Sequence, residues 1–186
     1  MTNFQKKLHE IIRVDHAGEM GAKVIYAGQI AALKLKKDFA TLKIVEEMKQ
    51  QEVVHFDYFD GEIKRQKVRP TIMQPIWKAG GFALGFITGM MDKKAAMACT
   101  TAVEETIDDH YLDQLESLQK EEAKLSGVEK EKITELKNKI EKFREEEIEH
   151  RDIGYENHAA DLKYFKPLSA FIKATTKIAI AVSKKI

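Results

Sequence analysis

Glu52-Val-Val-His55 and Glu147-Ile-Glu-His150 are two copies of one pattern, a glutamate followed by a histidine three residues later. In an α-helix this spacing places both side chains on the same face, about one turn apart. Each copy is preceded by a single glutamate on an earlier helical segment, Glu19 for the first and Glu104 for the second. Four glutamates and two histidines on four helices form the ligand set of carboxylate-bridged di-metal sites in helical bundles. The pattern therefore predicts an all-α, ferritin-like four-helix bundle.

The apolar stripes of the helical segments indicate which acidic residues are buried. Apolar residues recur at steps of three and four, and such a stripe marks the face packed into the core. The stripe selects Glu104 over the adjacent Glu105, and it selects Glu147 within the run 145–147. The predicted metal ligands are therefore the six polar residues on these stripes: Glu19, Glu52, His55, Glu104, Glu147 and His150.

Buried carboxylates need compensating charge, because an unpaired one is too costly to leave in an apolar core. Four of them in one bundle predict two divalent cations, with the two imidazoles completing the coordination. Carboxylate and imidazole ligands with open positions suit iron, and manganese less specifically. A single Glu-x-x-His arises by chance in many acidic helices, whereas two copies, each preceded by a glutamate on the apolar stripe, are specific. We therefore expect two iron ions, which are Fe(II) in the reduced form.

The composition narrows the class of protein. The chain has 186 residues, enough for one domain with a sizeable core, and its 31 Lys and Arg residues nearly balance its 30 Asp and Glu residues. This balance gives no indication of nucleic-acid binding. The lone Cys99 cannot form an internal disulfide and fits a reducing compartment. The first residues resemble neither a signal peptide nor a transit peptide, so we expect a peripheral protein on the cytoplasmic side of a membrane.

The chain is expected to form a single ferritin-like domain over residues 1–186. Asp38 and Asp92 are placed to cap helices, and Ser126-Gly-Val-Glu129 has the form of a capping box. The helix after Ser126 is expected to run to about Lys163. The expected parts are helical hairpins at about 4–67 and 92–163, an apolar crossover at 68–91 and a C-terminal helix at 167–184.

Two segments have the character of membrane-contacting surfaces. Residues 72–91 include an uncharged run, Ala79–Met91, which is shorter than the roughly 20 residues needed to span a bilayer. Lysines flank this run, and they favour contact with anionic headgroups. The alternative is an ordinary buried crossover helix. The amphipathic segment 167–184 lies either on the membrane or over the bundle, and the sequence leaves both open.

The chain resembles the demethoxyubiquinone hydroxylases, the monooxygenases of ubiquinone biosynthesis. The similarity covers nearly the whole chain, and the shared motifs occur in the family's order. The motifs are Arg13-Val-Asp-His-Ala-Gly-Glu19, Tyr26-Ala-Gly-Gln29, Val68-Arg-Pro-Thr71, Gly81-Phe-Ala-Leu-Gly85, Ala96-Met-Ala-Cys-Thr100, Ala102-Val-Glu-Glu105 and Phe143-Arg-Glu-Glu-Glu-Ile-Glu-His-Arg-Asp-Ile-Gly154.

The resemblance implies a di-iron site with the same six ligands, and O2-dependent hydroxylation of a polyprenyl methoxy-benzoquinol ring. His110 and Tyr111 match a His-Tyr pair of the family, which implies a proton or electron relay. Asp108 and Asp109 are more acidic than the family's usual residues there. The electron donor implied is NADH or the quinol itself. The chain is also expected to form a homo-oligomer or to join a biosynthetic complex.

Two other functions compete with this interpretation. A ferritin-like iron-oxidising or storage protein would use similar ligands but has no use for an apolar surface segment. A non-enzymatic helical protein of membrane surfaces would leave the six ligands unexplained. His16, one turn before Glu19, either borders the metal site or packs in the core.

Overall fold

The computed structural model describes residues 2–185, apart from the side chain of Asn3, and no β-strand occurs among them. The all-α fold predicted from the sequence is confirmed. A short 3₁₀ turn at Ala159–Asp161 precedes the last helix. The α-helices of the described residues are α1 (Asn3–Lys36), α2 (Phe39–Arg65), α3 (Gln74–Met91), α4 (Lys93–Glu122), α5 (Gly127–Glu156) and α6 (Phe165–Lys185).

Helices α1 and α2 form one hairpin and α4 and α5 form the other, and short caps define their ends. The first hairpin turns at Lys37, which has the left-handed conformation with φ 57°. Asp38 then caps α2 by accepting a hydrogen bond from the Thr41 amide at 3.1 Å. Asp92 caps α4 in the same way through the Ala95 amide at 2.8 Å. Both predicted aspartate caps are therefore confirmed.

Two expectations about the second hairpin are wrong. Ser126 makes no side-chain capping bond, because Gly127 enters α5 with φ 58° and the regular geometry of a capping box does not form. Helix α5 ends at Glu156 instead of running to about Lys163. His158 has the left-handed φ of 70°, and this turn redirects the chain so that α6 packs back on the bundle.

Helix α3 packs chiefly on α1 through glycines that bring the two backbones together. A Cβ atom added at Gly85 would lie 1.9 Å from the Ile25 carbonyl oxygen, and one at Gly28 would lie 2.2 Å from the Phe82 carbonyl oxygen. No larger residue fits at either contact. Within α3 only Gly85, Thr88 and Gly89 are buried, so α3 is not the ordinary buried crossover helix of the alternative interpretation.

Helix α6 packs on α4 and α1 and buries Ile172, so this helix does cover the bundle. Its opposite face exposes large apolar side chains such as Phe171 and Ile178, and α3 does the same at Ile76 and Ile87, all of them more than half exposed. Among the residues described, none of the helices combines the length and the apolarity needed to cross a membrane.

Candidate metal centre

The six residues chosen from the apolar stripes meet in the interior of the bundle, and we call them the carboxylate–histidine cluster. Helices α1 and α4 each contribute one glutamate, and α2 and α5 each contribute one Glu-x-x-His pair. None of the six is more than 3% exposed. The adjacent Glu105 lies outside the cluster, where it binds Lys173 and Tyr155. The stripes therefore selected the buried glutamates.

The cluster consists of two overlapping groups that each have the form of a metal site. One group contains Glu19, Glu52, His55 and Glu147, and the other contains Glu52, Glu104, Glu147 and His150. In each group, one ligand atom from every residue lies within 4.8 Å of the others. Glu52 and Glu147 belong to both groups. Two shared carboxylates are what a pair of metal ions needs in order to be bridged.

Unsatisfied oxygens within the cluster indicate a positive ligand. Both carboxylate oxygens of Glu52, and one oxygen each of Glu19 and Glu104, are buried and accept no hydrogen bond. Buried carboxylate oxygens are costly when nothing compensates them. These oxygens belong to three of the four predicted ligand glutamates, so the residues present fit a pair of divalent ions.

Burial and mutual repulsion raise the pKa of three of these glutamates. Burial raises the pKa of Glu52 and of Glu104 well above the ordinary value, and the charge of Glu147 raises both further. Burial also raises the pKa of Glu19, although His55 opposes the effect. Protons and metal ions therefore compete for these carboxylates, because a carboxylate must lose its proton in order to bind a metal.

Glu147 differs from the other three because both histidines point at it. Burial by itself raises its pKa, but hydrogen bonds from His150 and His55 outweigh burial and lower the value to about 2. Burial lowers the pKa of His55, yet its bonds to Glu147 and Glu19 outweigh this and raise the value to about 12. Without metal, Glu147 is therefore the carboxylate that holds its negative charge.

Each histidine turns its Nδ1 atom toward the cluster and its Nε2 atom away from it. Nδ1 of His55 lies 3.1 Å from Glu147, and Nδ1 of His150 lies 3.1 Å from Glu52. On the far side, Nε2 of His55 lies 2.6 Å from Glu146, and Nε2 of His150 contacts the side-chain oxygen of Gln51. Such partners fix the tautomer and orientation of a metal-binding histidine.

Among the nearby carboxylates Glu146, Asp108 and Asp15, only Glu146 contacts one of these two histidines. Asp108 instead pairs with Arg144 at 2.6 Å, and Asp15 contacts His110 and Gln114. Gln51 was missed because a neutral residue beside the stripe gives no sign of burial. Its position directly before Glu52, as Glu146 stands before Glu147, is the signal that could have identified it.

Two tyrosines donate hydrogen bonds to the two single glutamates. Tyr111 of α4 donates to Glu19, and Tyr26 of α1 donates to Glu104 at 2.8 Å. Burial raises the pKa of both hydroxyls well above the ordinary value, so both keep their protons. The sequence indicated Tyr111 but not a role for Tyr26. Each tyrosine follows the single glutamate of its own hairpin by seven residues, and this repeat is the signal that could have identified Tyr26.

The other predicted residues lie outside the cluster. The ring of His110 stacks with that of Tyr111 at a centroid distance of 6.3 Å, and its Nε2 lies 2.9 Å from the amide nitrogen of Gln114. His110 therefore lies beside Tyr111 and outside the cluster. His16 is buried, and its polar contacts are with Asp60 and Gln74 rather than with a predicted ligand. His16 is therefore a core residue.

An apolar cavity of about 280 Å³ lies between α1, α3, α4 and α6. Gly18 of α1 and Val103 of α4 line it, and these residues directly precede Glu19 and Glu104 of the cluster. Trp77 of α3 closes one side by donating a hydrogen bond to Ser183 of α6 at 3.2 Å. Helices α1 and α4 therefore contribute residues both to the wall of the cavity and to the cluster.

The fold and this site define a class, the ferritin-like helical proteins with a carboxylate–histidine cluster inside the bundle. Comparison with known proteins narrows the class to one family. The model of the family "Ubiquinone biosynthesis protein COQ7" matches residues 6–183, and the chain belongs to this family. The resemblance found in the sequence is thereby confirmed.

Several curated relatives match almost the whole chain. The "NADPH-dependent 3-demethoxyubiquinone 3-hydroxylase, mitochondrial" of Dictyostelium discoideum is 44% identical over 179 residues, which are 96% of this chain and 77% of the relative. The "3-demethoxyubiquinol 3-hydroxylase" of Rhodospirillum rubrum is also 44% identical over 179 residues, covering 96% of this chain and 78% of the relative. The "NADPH-dependent 3-demethoxyubiquinone 3-hydroxylase, mitochondrial" of Homo sapiens is 42% identical over 176 residues, which are 95% of this chain and 76% of the relative.

Proposed function

We propose that this protein is an O2-dependent di-iron monooxygenase that hydroxylates the ring of a polyprenyl methoxy-benzoquinol, demethoxyubiquinol, in ubiquinone biosynthesis. The observation that carries the proposal is the overlap of two four-residue groups through Glu52 and Glu147. The names of the relatives support the reaction and the substrate class. Family membership favours this function over iron storage, the alternative considered from the sequence.

The six residues of the cluster would hold the metal pair, with Glu52 and Glu147 shared between the two positions. When bound, two Fe(II) ions supply O2 activation, so that one oxygen atom enters a ring C–H bond and the other leaves as water. The protein orients the ligands: Glu146 and Gln51 hold the two histidines so that Nδ1 faces the cluster. Buried aromatic side chains such as Phe143, which packs on His55 at 4.1 Å, exclude water.

Tyr111 and His110 are the proposed relay residues. The hydroxyl of Tyr111 keeps its proton and directs it at Glu19, so Tyr111 holds a proton at the edge of the cluster. His110 stacks on Tyr111 and borders a second cavity, whose lining includes Lys7, Glu10 and Asp113. This order of residues supports a path from that cavity to the cluster through His110 and Tyr111.

Replacing Tyr111 by Phe tests this relay. We expect hydroxylation to slow by roughly a hundredfold, the usual contribution of a positioned proton donor, while both iron ions remain bound. His110→Asn should slow the reaction less, because His110 does not contact a ligand residue. Tyr58→Phe is the matched control, since Tyr58 packs on Phe59 and Phe143 without bonding to the cluster. A Tyr111→Phe enzyme as fast as this control would exclude the relay.

The reaction also needs two electrons, and a nicotinamide nucleotide is the proposed donor. Two of the relatives described above carry the words "NADPH-dependent" in their names. Product formation is compared with NADH, NADPH or a reduced quinol analogue as the sole electron donor, each at the same concentration. This comparison distinguishes a nucleotide donor from the quinol itself. Product formed with the quinol analogue alone would remove the nucleotide from the proposal.

The outer faces of α3 and α6 are proposed to rest on a membrane, where a polyprenyl quinol is dissolved. Both helices expose large apolar side chains, and Lys78, Lys93 and Lys94 flank the apolar part of α3. Ile87→Glu should reduce co-sedimentation with vesicles that contain anionic lipids, whereas Val128→Glu at the start of α5 should not. Equal losses for both variants, or none, would contradict this orientation.

The decisive test of the proposed function uses labelled O2. Iron-loaded protein is mixed with a short-tailed demethoxyubiquinone analogue, a reduced nicotinamide nucleotide and ¹⁸O2, and the product is followed by mass spectrometry. We expect the product to gain one labelled oxygen atom, and Glu147→Gln to abolish this gain. The exposed Glu145→Gln is the matched control. Iron oxidation without any labelled product, under every donor tried, would favour the iron-oxidising alternative.

A further inference from the structure

The apolar cavity can hold an isoprenoid tail, but hydroxylation needs the ring beside the metal ions. Reacting atoms must come within roughly 3–3.5 Å of each other before a bond can form between them. The cavity and the cluster lie on adjacent faces of α1 and α4, since Gly18 lines the cavity and Glu19 belongs to the cluster. Any ring that moves from one to the other must therefore pass between α1 and α4.

Gly18 of α1 and Ile107 of α4 lie close to each other across this boundary, and both line the cavity. Gly18 has no side chain, and apart from its chain neighbours and its own helix backbone, a Cβ atom added there would meet the Cδ1 atom of Ile107, at 3.9 Å. Ile107 lies across from it on α4, one turn after Glu104, and it is buried. Ile107 also lines the cavity, so its flexible apolar side chain lies at the boundary between α1 and α4 at this point.

We propose that the ring of the quinol reaches the carboxylate–histidine cluster between α1 and α4 at Gly18 and Ile107, and that the sizes of these two side chains determine access. This inference rests on the proposed function for the identity of the ring. The tail stays in the cavity, against the apolar walls of α3 and α6. Ile107 fills the passage in the absence of the ring and turns aside when the ring enters.

Two side-chain exchanges narrow or widen this passage. Gly18→Val adds branched bulk directly opposite Ile107, and Ile107→Ala removes bulk from the opposite side. In the double variant the two changes compensate each other in volume. Gly61→Val is the matched control, because Gly61 is an exposed helical glycine with nothing within 4 Å of its Cβ direction. All variants are checked for helicity and for bound iron before any other measurement.

Binding in the cavity can be measured separately from access to the metals. Trp77 is the only tryptophan of the chain and lines the cavity, so quenching of its fluorescence reports a quinone analogue bound there. The near-infrared circular dichroism of the Fe(II)-loaded protein reports whether the ring then reaches the cluster. The probe in both measurements is a demethoxyubiquinone analogue with a short isoprenoid tail.

We expect Gly18→Val to bind the analogue in the cavity within about twofold of the unaltered protein, yet to lose the spectral response of the Fe(II) ions. Hydroxylation should fall by at least about tenfold, a loss that corresponds to about 1.4 kcal/mol. Ile107→Ala in the same chain should restore both. If Gly18→Val loses iron or helicity, Ile107→Phe narrows the same passage from α4 and takes its place.

The results also separate this inference from the proposed function. An unaltered protein whose Fe(II) spectrum responds to the analogue, but which forms no product, contradicts the hydroxylase and leaves the passage to be judged by the variants' spectra. A spectral response that survives in both Gly18→Val and Ile107→Phe would overturn the passage, as would a double variant that keeps its iron but recovers neither signal. Quenching of Trp77 with no spectral response in the unaltered protein would also overturn it.

Discussion

The two hairpins contribute equal shares to the carboxylate–histidine cluster, and each supports the share of the other. Tyr111 of the second hairpin donates to Glu19 of the first, and Tyr26 of the first donates to Glu104 of the second. The histidines follow the same rule, because the residue before the Glu-x-x-His of one hairpin contacts the histidine of the other. The site therefore depends on the docking of both hairpins.

The two halves differ in one chemical group. His55 has a carboxylate, Glu146, as its outer partner, whereas His150 has the neutral amide of Gln51. A charged acceptor strengthens the hydrogen bond and makes the imidazole a stronger ligand. We therefore expect a nearly symmetric site to offer two unequal metal positions, and five substitutions test this comparison from the shared residues outward.

The largest expected effect follows from replacing a residue that both halves share. Glu52→Gln removes one ligand from each metal position at once, and we expect it to reduce bound iron from two ions per chain to almost none. Iron content after anaerobic loading and desalting measures this directly. Glu145→Gln should retain two ions. Retention of even one tightly bound ion by Glu52→Gln would show that Glu52 does not bridge.

Replacing a glutamate that belongs to only one of the two groups should remove one iron ion per chain instead of two. Glu19→Gln should leave one ion, bound by the group that contains Glu104, and Glu104→Gln should leave the ion bound by the group that contains Glu19. The same loading assay gives the stoichiometry of each variant. Loss of both ions from either variant would mean that the two positions fill only together, which would contradict independent half-sites.

The effect of pH on the metal-free protein is expected to be smaller and to have a definite sign. Burial raises the pKa of Glu52 and Glu104 well above 4.5, so the stability that each contributes is complete below pH 4.5 and is lost as the pH rises toward the raised value. The raised pKa of His55, about 12, gives stability that is complete below 6.5 and declines as the pH rises toward 12. All three groups therefore destabilise the metal-free fold as the pH rises above neutrality.

Urea unfolding of the metal-free protein at pH 6 and pH 8 measures this decline. A group that keeps its proton only in the folded state changes the free energy of unfolding by about 1.4 kcal/mol per pH unit. Glu52→Gln should reduce the slope, because glutamine does not titrate. Iron should reverse the trend, since metal binding releases protons and tightens as the pH rises. A metal-free protein that is more stable at pH 8 would contradict the assigned directions.

The sequence predicted the six residues of the cluster but missed the outer partners of its two histidines. The six cluster residues could be chosen because each is a charged or ionisable residue on an apolar stripe, and such a conflict is visible without coordinates. Gln51 and Glu146 lie beside the stripes, where polar residues are expected, so nothing in the pattern distinguishes them from solvated neighbours. Their role depends on how α2 and α5 dock, which periodicity along one helix does not determine.

The same reasoning explains the errors at the ends of helices. Asp38 and Asp92 cap their helices through contacts three residues away, and local sequence is enough to predict these. The end of α5 at Glu156 depends on tertiary packing, because the chain must turn there for α6 to pack on α4. The apolar run of α3 was recognised, but its contact with α1 was not, because it depends on Gly28 and Gly85 meeting across two helices.

The smallest expected effect tests the one chemical difference between the halves. Each metal position is titrated by itself, in the Glu104→Gln background for the His55 side and in the Glu19→Gln background for the His150 side. Glu146→Gln should weaken the first position about tenfold, the lower end of what outer partners of metal-binding histidines contribute. Gln51→Glu should strengthen the second position by a similar factor.

The exchange of both partners gives the sharpest form of this test. If the carboxylate determines the order of affinities, the chain with Glu146→Gln and Gln51→Glu should fill the His150 position first, the reverse of the unaltered protein. Lys142 lies 3.4 Å from Glu146 and would lose its partner in this chain, so its positive charge would oppose a cation at the His55 position. The reversal should therefore be largest at low salt and smaller at high salt. An unchanged filling order would place the asymmetry in the ligands themselves and not in the outer partners of the two histidines.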